Sequence, residues 1–472
     1  MALYDRLFRR RFSVNLYKSC SFPLGEMSFA RDFVHTDRGD PYPVLDGEAE
    51  ETAGGGKYDC RGTRTRLLGA FLPFATYEAE LETLEGSFSF VFRHPELSCA
   101  VSLCAGETLS VRFTSGEMCS VVDTGRPFKP GMRFSVVPHR QWFDVYLDDC
   151  GTPASVAVFQ LDAFADSNKE SFFQNAVAAV RCDGHVRLTG VRFFMDSGLA
   201  QADIRPICYE DGSVMVERGR VFLTMTVRLQ EEMYQGVFAW VPGTAQFEMT
   251  GALFFDPGDG TWNGDVASCL LFDRRKGEWI VWMCAFSHGH VLGRARFTGD
   301  PRFGRNVIDV RLCSLLPAGA ADTAFGGKPG DEDPTLYFDG RWHLAVCRLS
   351  KENGKYRYAF FESDDPLDGF VNTGLGAVGA ETGGSFVSWE KERWFVCGNS
   401  FTEKSQYRAY RLDELPDFHL LRFDYPDGGF RGWGTLIPVF VAGRQKLYHL
   451  TFDRHNGSDY PWSYGNLYVF EG

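Results

Sequence analysis

The sequence predicts an all-β protein made of an N-terminal β-sandwich and a C-terminal five-bladed β-propeller. Glycine (51 residues) and phenylalanine (43 residues) are abundant among the 472 residues, and no segment shows a long, capped 3.6-residue periodicity. Helix should therefore be scarce. A chain of this length exceeds the usual single-domain size, so two domains are expected.

A pattern that recurs five times in the C-terminal part predicts the propeller. Each copy has a small or acidic cluster, an alternating apolar strand, a polar turn and an aromatic-rich return strand. The copies begin near Glu210, Gly264, Glu332, Glu381 and Gly432. This spacing of about 50 to 70 residues suits four-stranded blades with long outer connections. Because innermost strands start at one shared axis, the acids at these starts should converge on one pocket. They are Asp211, Asp265, Asp333 and Glu381.

The N-terminal part predicts the sandwich. From about residue 60, at least eight β-type runs such as SFSFVFRH and QWFDVYLDD alternate with turn clusters, which is typical of a sandwich. Residues 1–200 are assigned to this domain, with an irregular segment up to about 60, and residues 201–472 to the propeller. The boundary lies in the small and polar segment before Pro206. The last strand, Leu467 to Phe470, is expected to pair with an early blade and close the ring.

Charge and cysteine usage narrow the function classes. The formal net charge of −13 disfavours a nucleic-acid or anionic membrane partner. No apolar run approaches the length of a membrane span, and the first residues lack the apolar stretch of a secretory signal. Thirteen cysteines without a CxxC pair are typical of reduced, buried thiols. We therefore expect a cytoplasmic protein.

The third repeat, DEDPTLYFDGRWHLAV, resembles the five-bladed propeller glycosidases of the arabinanase, β-xylosidase and α-arabinofuranosidase family. The resemblance implies that Asp211 is the general base, Asp333 the residue that orients and tunes the acid, and Glu381 the general acid. Gly212 stands where the first family motif has a proline, so Glu210 is a rival for Asp211. Two N-terminal runs, TYEAELETLEGSFSFVF and WFDVYLDDCG, resemble legume-lectin-like (concanavalin-like) jelly rolls.

The chemistry of glycoside hydrolysis requires such a set of carboxyl groups. One must be protonated so that it can donate its proton to the leaving oxygen. Another must be ionised so that it can act at the anomeric carbon, directly or through water. Acids crowded in one pocket raise one another's pKa, which keeps the donor protonated. The alternative is that each acid merely caps a turn at a blade start, where Asp and Glu are common.

Other residues are candidates for substrate binding. The resemblance places Trp262 and Asp265 on the pocket wall and Gly432–Thr435 in the fifth blade, where Trp433 replaces a family histidine. An aromatic plane in such a loop stacks on a sugar face or simply packs. A metal site formed by His288 and His290 is not favoured, because the sequence has no matching Cys/His cluster. His288 is instead a candidate for contacts with sugar hydroxyls. Arg431 could bind a carboxylate or hydroxyl group.

The sequence thus predicts an exo-acting, inverting glycoside hydrolase for short oligosaccharides or glycosides, preferably furanosides or pentosides. No cofactor and no metal at the site are expected, although the resemblance allows a structural calcium ion in the propeller channel. Two alternatives remain: a non-catalytic carbohydrate-binding propeller, and a sugar lyase that uses His or Tyr with Arg. The sequence does not specify the sugar, its anomeric configuration and linkage, or the oligomeric state.

Overall fold

The computed structural model describes residues 2–29, 40–149, 151–160, 167–315, 330–349, 355–377, 379, 381–399, 406–424, 434–441, 443–452 and 467–472. Helix within these residues amounts to about 2%: one short α-helix, α1 (Glu170–Phe173), and the 3-10 turns Leu3–Asp5 and Phe286–His288. None of the described helices is long and apolar enough to cross a membrane. The prediction that helix is scarce is confirmed.

Strands make up the rest of the regular structure, and they are numbered here along the chain. The first group is β1 (Leu7–Val14), β2 (Ser21–Met27), β3 (Val44–Asp46), β4 (Ala49–Gly54), β5 (Lys57–Ala70), β6 (Thr76–His94), β7 (Leu97–Cys104), β8 (Ser110–Ser115), β9 (Met118–Asp123), β10 (Met132–His139), β11 (Trp142–Asp148), β12 (Ala154–Gln160) and β13 (Val177–Asp196). The second is β14 (Ala200–Pro206), β15 (Cys208–Tyr209), β16 (Val216–Glu217), β17 (Arg220–Arg228), β18 (Met233–Trp240), β19 (Phe247–Asp256), β20 (Val266–Asp273), β21 (Glu278–Ala285), β22 (Val291–Phe297), β23 (Gly304–Asp309) and β24 (Arg311–Cys313). The third is β25 (Asp331–Phe338), β26 (Trp342–Leu349), β27 (Tyr356–Ser363), β28 (Val371–Leu375), β29 (Glu381–Trp389), β30 (Glu392–Asn399), β31 (Gln406–Arg411), β32 (His419–Leu420), β33 (Arg422–Phe423), β34 (Thr435–Val441), β35 (Arg444–Phe452) and β36 (Leu467–Glu471).

Twelve strands from β2 to β13 form one extended N-terminal sheet. Its two long strands, β6 and β13, pair with each other along most of their length and carry different partners at their two ends. The first half of β6 pairs with β10 and the second half with β7. Phe88–Phe92 of β6 and Phe134–His139 of β10 are buried in unbroken runs, so both faces of this part of the sheet are covered. The jelly-roll assignment of this part stays a prediction.

Five further sheets form the blades of a propeller. The first four blades run from the axis outward as β14-β17-β18-β19, β20-β21-β22-β24, β25-β26-β27-β28 and β29-β30-β31-β32. The innermost strands lie beside one another around the axis, so β14 contacts β20, β29 and β34, and β25 contacts both β20 and β29. We call the end of the channel where these strands begin the upper end, and the other the lower end. The predicted five-bladed propeller is confirmed.

The fifth blade is completed by the N-terminus of the chain. Its order from the axis is β34-β35-β36-β1, and β1 pairs with β36 in an antiparallel register from Arg9↔Glu471 to Val14↔Leu467. The expectation that the last strand pairs with an early blade was wrong, as was the placement of residues 7–14 in the sandwich. Pairing with β1 covers the edge of β36, which would otherwise present unpaired backbone groups.

The first blade begins earlier than its sequence repeat predicts. Its innermost strand is β14, which starts at Ala200. The segment around Asp211 instead connects β14 to β17 at the lower end of the channel. The physical reason is that β14 carries Ala200, Ala202 and Ile204 inward into the core, without the aromatic signature of the other repeats. The turn after it mimics a blade start because it is acidic and glycine-containing.

A single hydrophobic cluster joins the N-terminal sheet to the propeller. It includes Phe74 and Tyr77 from the sheet, Tyr234 and Phe254 from the first blade, and Tyr448 from the fifth. The Phe74 ring lies 5.1 Å from the Phe254 ring and 6.0 Å from that of Tyr234, measured between centroids. The two parts therefore share one core.

Candidate active site

Four innermost strands share a β-bulge at the same depth in the channel. The register with the second strand of each blade shifts between Ala202 and Arg205, Val266 and Cys269, Glu332 and Thr335, and Thr382 and Ser385. The first residue of each bulge has a positive φ: Asp203 (49°), Ala267 (55°), Asp333 (49°) and Gly383 (61°). A bulge of this kind re-aims the side chain that it carries. Two of the four positions hold a carboxyl group.

Asp333 is buried, with 4% of its surface exposed. Its Oδ2 accepts hydrogen bonds from the Thr382 hydroxyl (2.7 Å) and from the backbone N–H of Gly383 (2.9 Å). Both donors belong to the bulge of the fourth blade. These two hydrogen bonds fix the orientation of the Asp333 carboxyl group.

Asp203 lies across the channel on the first blade and is partly exposed. Its Oδ2 accepts a hydrogen bond of 2.6 Å from the Thr226 hydroxyl, and its Oδ1 has no hydrogen-bond partner among the described residues. Burial, followed by the negative charge of Asp333, raises the pKa of Asp203 to about 6. A carboxyl group with a raised pKa beside a second carboxyl group is typical of a functional site.

Arg205 spans the channel next to this pair. Its Nη1 donates to the carbonyl oxygens of Pro334 (3.1 Å) and Gly384 (2.6 Å), which are the second bulge residues of the third and fourth blades. Its Nη2 lies 3.6 Å from Asp333 Oδ1, and only 4% of the residue is exposed. The guanidinium therefore supplies a buried positive charge between three blades and lowers the cost of the two carboxyl groups.

The resemblance allows a calcium ion in the channel, but the oxygen atoms that could bind it are occupied by Arg205. Main-chain carbonyls and a carboxylate are the oxygen ligands that calcium prefers, but here the carbonyls of Pro334 and Gly384 bind the Arg205 guanidinium. No three His, Cys, Asp or Glu side chains in the described part of the chain are grouped so that they could hold a metal ion. The residues around Arg205 thus do not fit a calcium site.

Asp211 lies at the opposite end of the channel from Asp333. Its carboxylate accepts from Ser213 and forms an ion pair of 2.7 Å with Arg274, and its side chain is 48% exposed. The neighbouring Glu210 accepts the backbone N–H of Phe338, the last residue of β25, at its carbonyl oxygen. Five residues of strand separate Phe338 from Asp333, or roughly 16 Å. The expected convergence of Asp211 with Asp333 is not found, because Asp211 belongs to a turn at the lower end of the channel.

Glu210, the rival of Asp211, is in the same turn and is also occupied. Its carboxylate binds the side chain of Arg274 at 3.0–3.2 Å and the backbone N–H of the same residue at 3.1 Å. Neither acid of this turn reaches the bulges. The first-blade acid that faces the channel is Asp203 and not Asp211, because Asp203 lies in the bulge of β14.

Glu381 points away from the axis into the seam between the third and fourth blades. It is fully buried, and Oε1 accepts from Arg408 (3.0 Å) and from the Tyr410 hydroxyl. Oε2 accepts from the backbone N–H of Tyr358 (3.1 Å). The predicted acid role conflicts with this geometry, because both oxygens accept hydrogen bonds from the protein and the residue is not exposed to solvent. The fourth-blade residue at the axis is Gly383.

Asp265 lies at the upper end of the second blade, where it closes a turn. Its two oxygens accept the backbone N–H (2.9 Å) and the hydroxyl (2.8 Å) of Ser287, and burial raises its pKa. His288 Nδ1 is 2.8 Å from the same hydroxyl, and its Nε2 is 3.8 Å from an Asp259 oxygen. Both predicted residues are thus near the upper rim, engaged in local contacts.

Trp262 packs between the two parts of the protein. Its ring stacks on Phe254 with a centroid distance of 5.7 Å and meets Phe173 edge-on at 4.5 Å. Its carbonyl oxygen accepts from the Asn168 side chain (2.9 Å). This is the packing alternative rather than a sugar platform. Arg431 and Trp433 lie outside the described residues.

Three residues of the site are absent from the sequence prediction: Asp203, Arg205 and Glu332. Asp203 lies in QADIRP, which was assigned to the domain boundary. The sequence signal that could have identified Asp203 is the proline that follows it: Pro206 comes three residues after Asp203, and Pro334 directly follows Asp333. Glu332 was seen only as the neighbour of Asp333. Its Oε1 lies 2.8 Å from His290 Nδ1 and accepts a hydrogen bond of 2.9 Å from the Tyr356 hydroxyl.

Neither a protein-family model nor a curated protein sequence matches the chain. Solved structures that resemble it include an α-L-arabinanase from Penicillium chrysogenum in complex with arabinobiose, with 8% identity over 86% of this chain and 96% of that chain and a TM-score of 0.37. A family 117 glycoside hydrolase from Zobellia galactanivorans shares 12% identity over 58% of this chain and 84% of that chain, with a TM-score of 0.39. A carbohydrate-binding module from Bacillus subtilis shares 15% identity over 33% of this chain and 92% of that chain, with a TM-score of 0.24. The five-bladed architecture itself rests on the strand order of this chain.

Proposed function

We propose that the protein is a glycoside hydrolase whose catalytic carboxyl pair is Asp203 and Asp333. The observation that carries this proposal is the shared bulge, which turns one carboxyl from the first blade and one from the third into the same channel. The pair is asymmetric: Asp333 accepts two hydrogen bonds and lies beside the Arg205 guanidinium, whereas Asp203 accepts one hydrogen bond. Hydrolysis of a glycosidic bond needs such differentiated carboxyl groups.

In this proposal Asp203 is the general base. Its Oδ1 is open to a water molecule, and a pKa of about 6 makes it a stronger base than an ordinary aspartate once it is ionised. Asp333 is held in place by its contacts with Thr382 and Gly383. Its negative charge raises the pKa of Asp203 and stabilises the positive charge that develops at the anomeric carbon.

The proposed substrates are short oligosaccharides or glycosides, with furanosides or pentosides preferred because of the resemblance of the Asp333-Pro334-Thr335 segment. Exo action, inversion of configuration and a cytoplasmic location are parts of the same proposal. A buried site with two acids and one arginine has a net negative charge, which favours neutral over anionic sugars. We propose that no cofactor takes part.

A non-catalytic carbohydrate-binding propeller is the second candidate. It is favoured by one observation: the fourth blade presents Gly383 at the axis, while Glu381 is sequestered by Arg408 and Tyr410. A binding protein needs the carboxyl groups only as hydrogen-bond acceptors for sugar hydroxyls. It would bind an oligosaccharide and leave it intact.

A screen of aryl furanosides and pyranosides with the full chain tests the proposal. We expect turnover on at least one pentoside, and a loss of about 100-fold or more in kcat for Asp203→Asn and Asp333→Asn. Asp211→Asn is the matched control, since this carboxyl lies at the lower end, and its kcat should be unchanged. NMR of the first-formed anomer gives the stereochemistry. Calorimetric binding of an oligosaccharide without any turnover would establish the binding protein instead.

A further inference from the structure

We propose that Glu332 is the proton donor of the axial site. This inference rests on the proposed glycoside hydrolysis, which requires a donor in addition to Asp203 and Asp333. Glu332 is the residue before Asp333 in the innermost strand of the third blade, and it pairs in register with Cys347. It therefore lies just above the bulge, at the upper end of the channel.

The position of the Glu332 carboxyl is set by two blades. The phenol of Tyr356 comes from β27 of its own blade, and the imidazole of His290 comes from the loop after β21 of the second blade. The carbonyl oxygen of His290 also accepts the backbone N–H of Asp331, at 3.2 Å. This contact holds the imidazole over the upper end of β25. A carboxyl group fixed from two sides keeps one orientation, which proton transfer requires.

The carboxyl group is also accessible, unlike that of Glu381. Its side chain is 18% exposed, whereas that of Glu381 is 0% exposed. Both donors bind Oε1, and Oε2 has no hydrogen-bond partner among the described residues. Oε2 is thus the oxygen that can carry a proton to a substrate.

The Glu332 carboxyl lies among other ionisable side chains. The titratable and charged groups nearby are Asp331 with its partner Arg348, Asp333, His290, Tyr356, Cys284 and Cys347. Burial, followed by the charge of Glu332, raises the pKa of Tyr356, so the phenol stays a donor to Oε1 throughout.

The proposed hydrolysis breaks one bond, forms one bond and moves two protons. While the bond between the anomeric carbon and the leaving oxygen breaks, the proton on Glu332 Oε2 moves to that oxygen, which keeps the bonding electron pair. A water molecule forms the new bond to the anomeric carbon and gives its proton to Asp203. Glu332 ends as a carboxylate that His290 and Tyr356 stabilise. Solvent then returns a proton to Glu332 and removes one from Asp203.

Leaving-group dependence in the full chain tests this role. We would measure kcat/KM for Glu332→Gln on aryl glycosides, from 2,4-dinitrophenyl to phenyl, and on an unactivated disaccharide. General acid catalysis contributes about 100- to 10,000-fold. We therefore expect a loss of at least about 100-fold on the disaccharide and of less than about 10-fold on the dinitrophenyl glycoside. The alkaline limb of the pH profile should also disappear.

Asp339→Asn is the matched control. Asp339 pairs with His343 at 2.7 Å at the lower end of the same blade, so it reproduces a carboxyl–histidine pair away from the site. Its leaving-group dependence should equal that of the wild type. Equal losses for Glu332→Gln on both substrate classes, while Asp203→Asn and Asp333→Asn remain impaired, would overturn the role of Glu332 alone. A wild-type chain that cleaves none of the substrates would overturn the inference together with the proposed function.

Discussion

At the scale of the residue, two aspartates in left-handed backbone conformations determine the candidate site. Aspartate tolerates a positive φ better than most residues, but the conformation still costs of order 1–3 kcal/mol. The chain accepts this cost at Asp203 and Asp333, which both have a φ of 49°, and in addition places their carboxyl groups close enough for the charge of Asp333 to raise the pKa of Asp203. Such a concentration of strain and unfavourable charge is typical of a functional site.

We predict that Asp203→Asn stabilises the protein at neutral pH. The pKa of Asp203 is raised from an ordinary value of 3.8 to about 6 in the folded state. The folded protein therefore binds this proton more tightly, and stability decreases as the pH rises from about 4 to 6 and stays reduced above that range. Removing the charge should add up to about 3 kcal/mol to the free energy of unfolding at pH 8. Urea denaturation at pH 8 and pH 4 measures both values, and an equal gain at the two pH values would contradict the charge explanation.

At the scale of the element, the seam between the third and fourth blades depends on a buried ion pair. Glu381 at the start of β29 binds Arg408 of β31 and also the backbone of Tyr358 in β27. It thereby ties two blades together at their upper ends. Close packing leaves no room for change here, since a Cβ at Gly376 would lie 3.0 Å from Glu381 Oε2.

We predict that Glu381→Gln costs stability rather than proton donation. Arg408 would keep its charge in a buried position without a carboxylate, which typically costs about 3–5 kcal/mol. The melting temperature should fall, while any protein that remains folded should show the same loss on good and poor leaving groups. Calorimetry and the two substrate classes together give the answer. The double variant Glu381→Gln/Arg408→Met, which removes the unpaired charge, should recover part of the lost stability.

The closure of the fifth blade by β1 leads to a third prediction. Deleting residues 2–14 should expose the edge of β36 and remove Phe8, which is fully buried and stacks on Phe423 at 5.1 Å. We expect a lower melting temperature and aggregation through the open edge. A synthetic peptide of residues 2–14 should restore the melting temperature of the truncated chain. The same peptide with Phe8→Asp should not restore it.

At the scale of the whole molecule, the N-terminal sheet and the propeller share a core and a chain terminus. The hydrophobic cluster runs from Phe74 in the sheet to Tyr448 in the fifth blade. The salt bridge between Lys18 and Asp196, at 2.5 Å and almost fully buried, lies where the sheet meets the first blade. Deletion of residues 1–200 would therefore remove a large part of this shared core together with β1, so we expect it to expose apolar surface and to reduce solubility.

We predict that the protein unfolds in a single transition. Separate domains with a polar interface usually unfold independently, whereas parts that share one apolar core lose it together. Differential scanning calorimetry should show one peak, with the calorimetric enthalpy equal to the van't Hoff enthalpy. Phe74→Asp, at the shared core, should lower that peak without splitting it. Two resolved peaks in the wild type would show that the parts fold separately.

The sequence by itself determined the fold class and one residue of the site. Repeated alternating strands with aromatic return strands depend on local physics, namely the period-two burial of side chains, so five blades could be predicted before the strands were placed. Asp333 was found because its Asp-Pro-Thr segment is a local signal at the start of β25. The first blade was misplaced because the acidic turn at Asp211 carries the same local signal without the same position.

Only the tertiary structure decided which acids meet. Whether a carboxyl faces the channel depends on its position relative to the bulge of its strand. Glu381 lies two residues before the fourth-blade bulge residue Gly383, and its side chain enters the seam between blades. Arg205 and Asp203 became visible as site residues only when β14 was placed against β25 and β29, which lie more than 120 positions later in the sequence. The closure of the fifth blade by the N-terminus is likewise a pairing between the two ends of the chain, which no local pattern encodes.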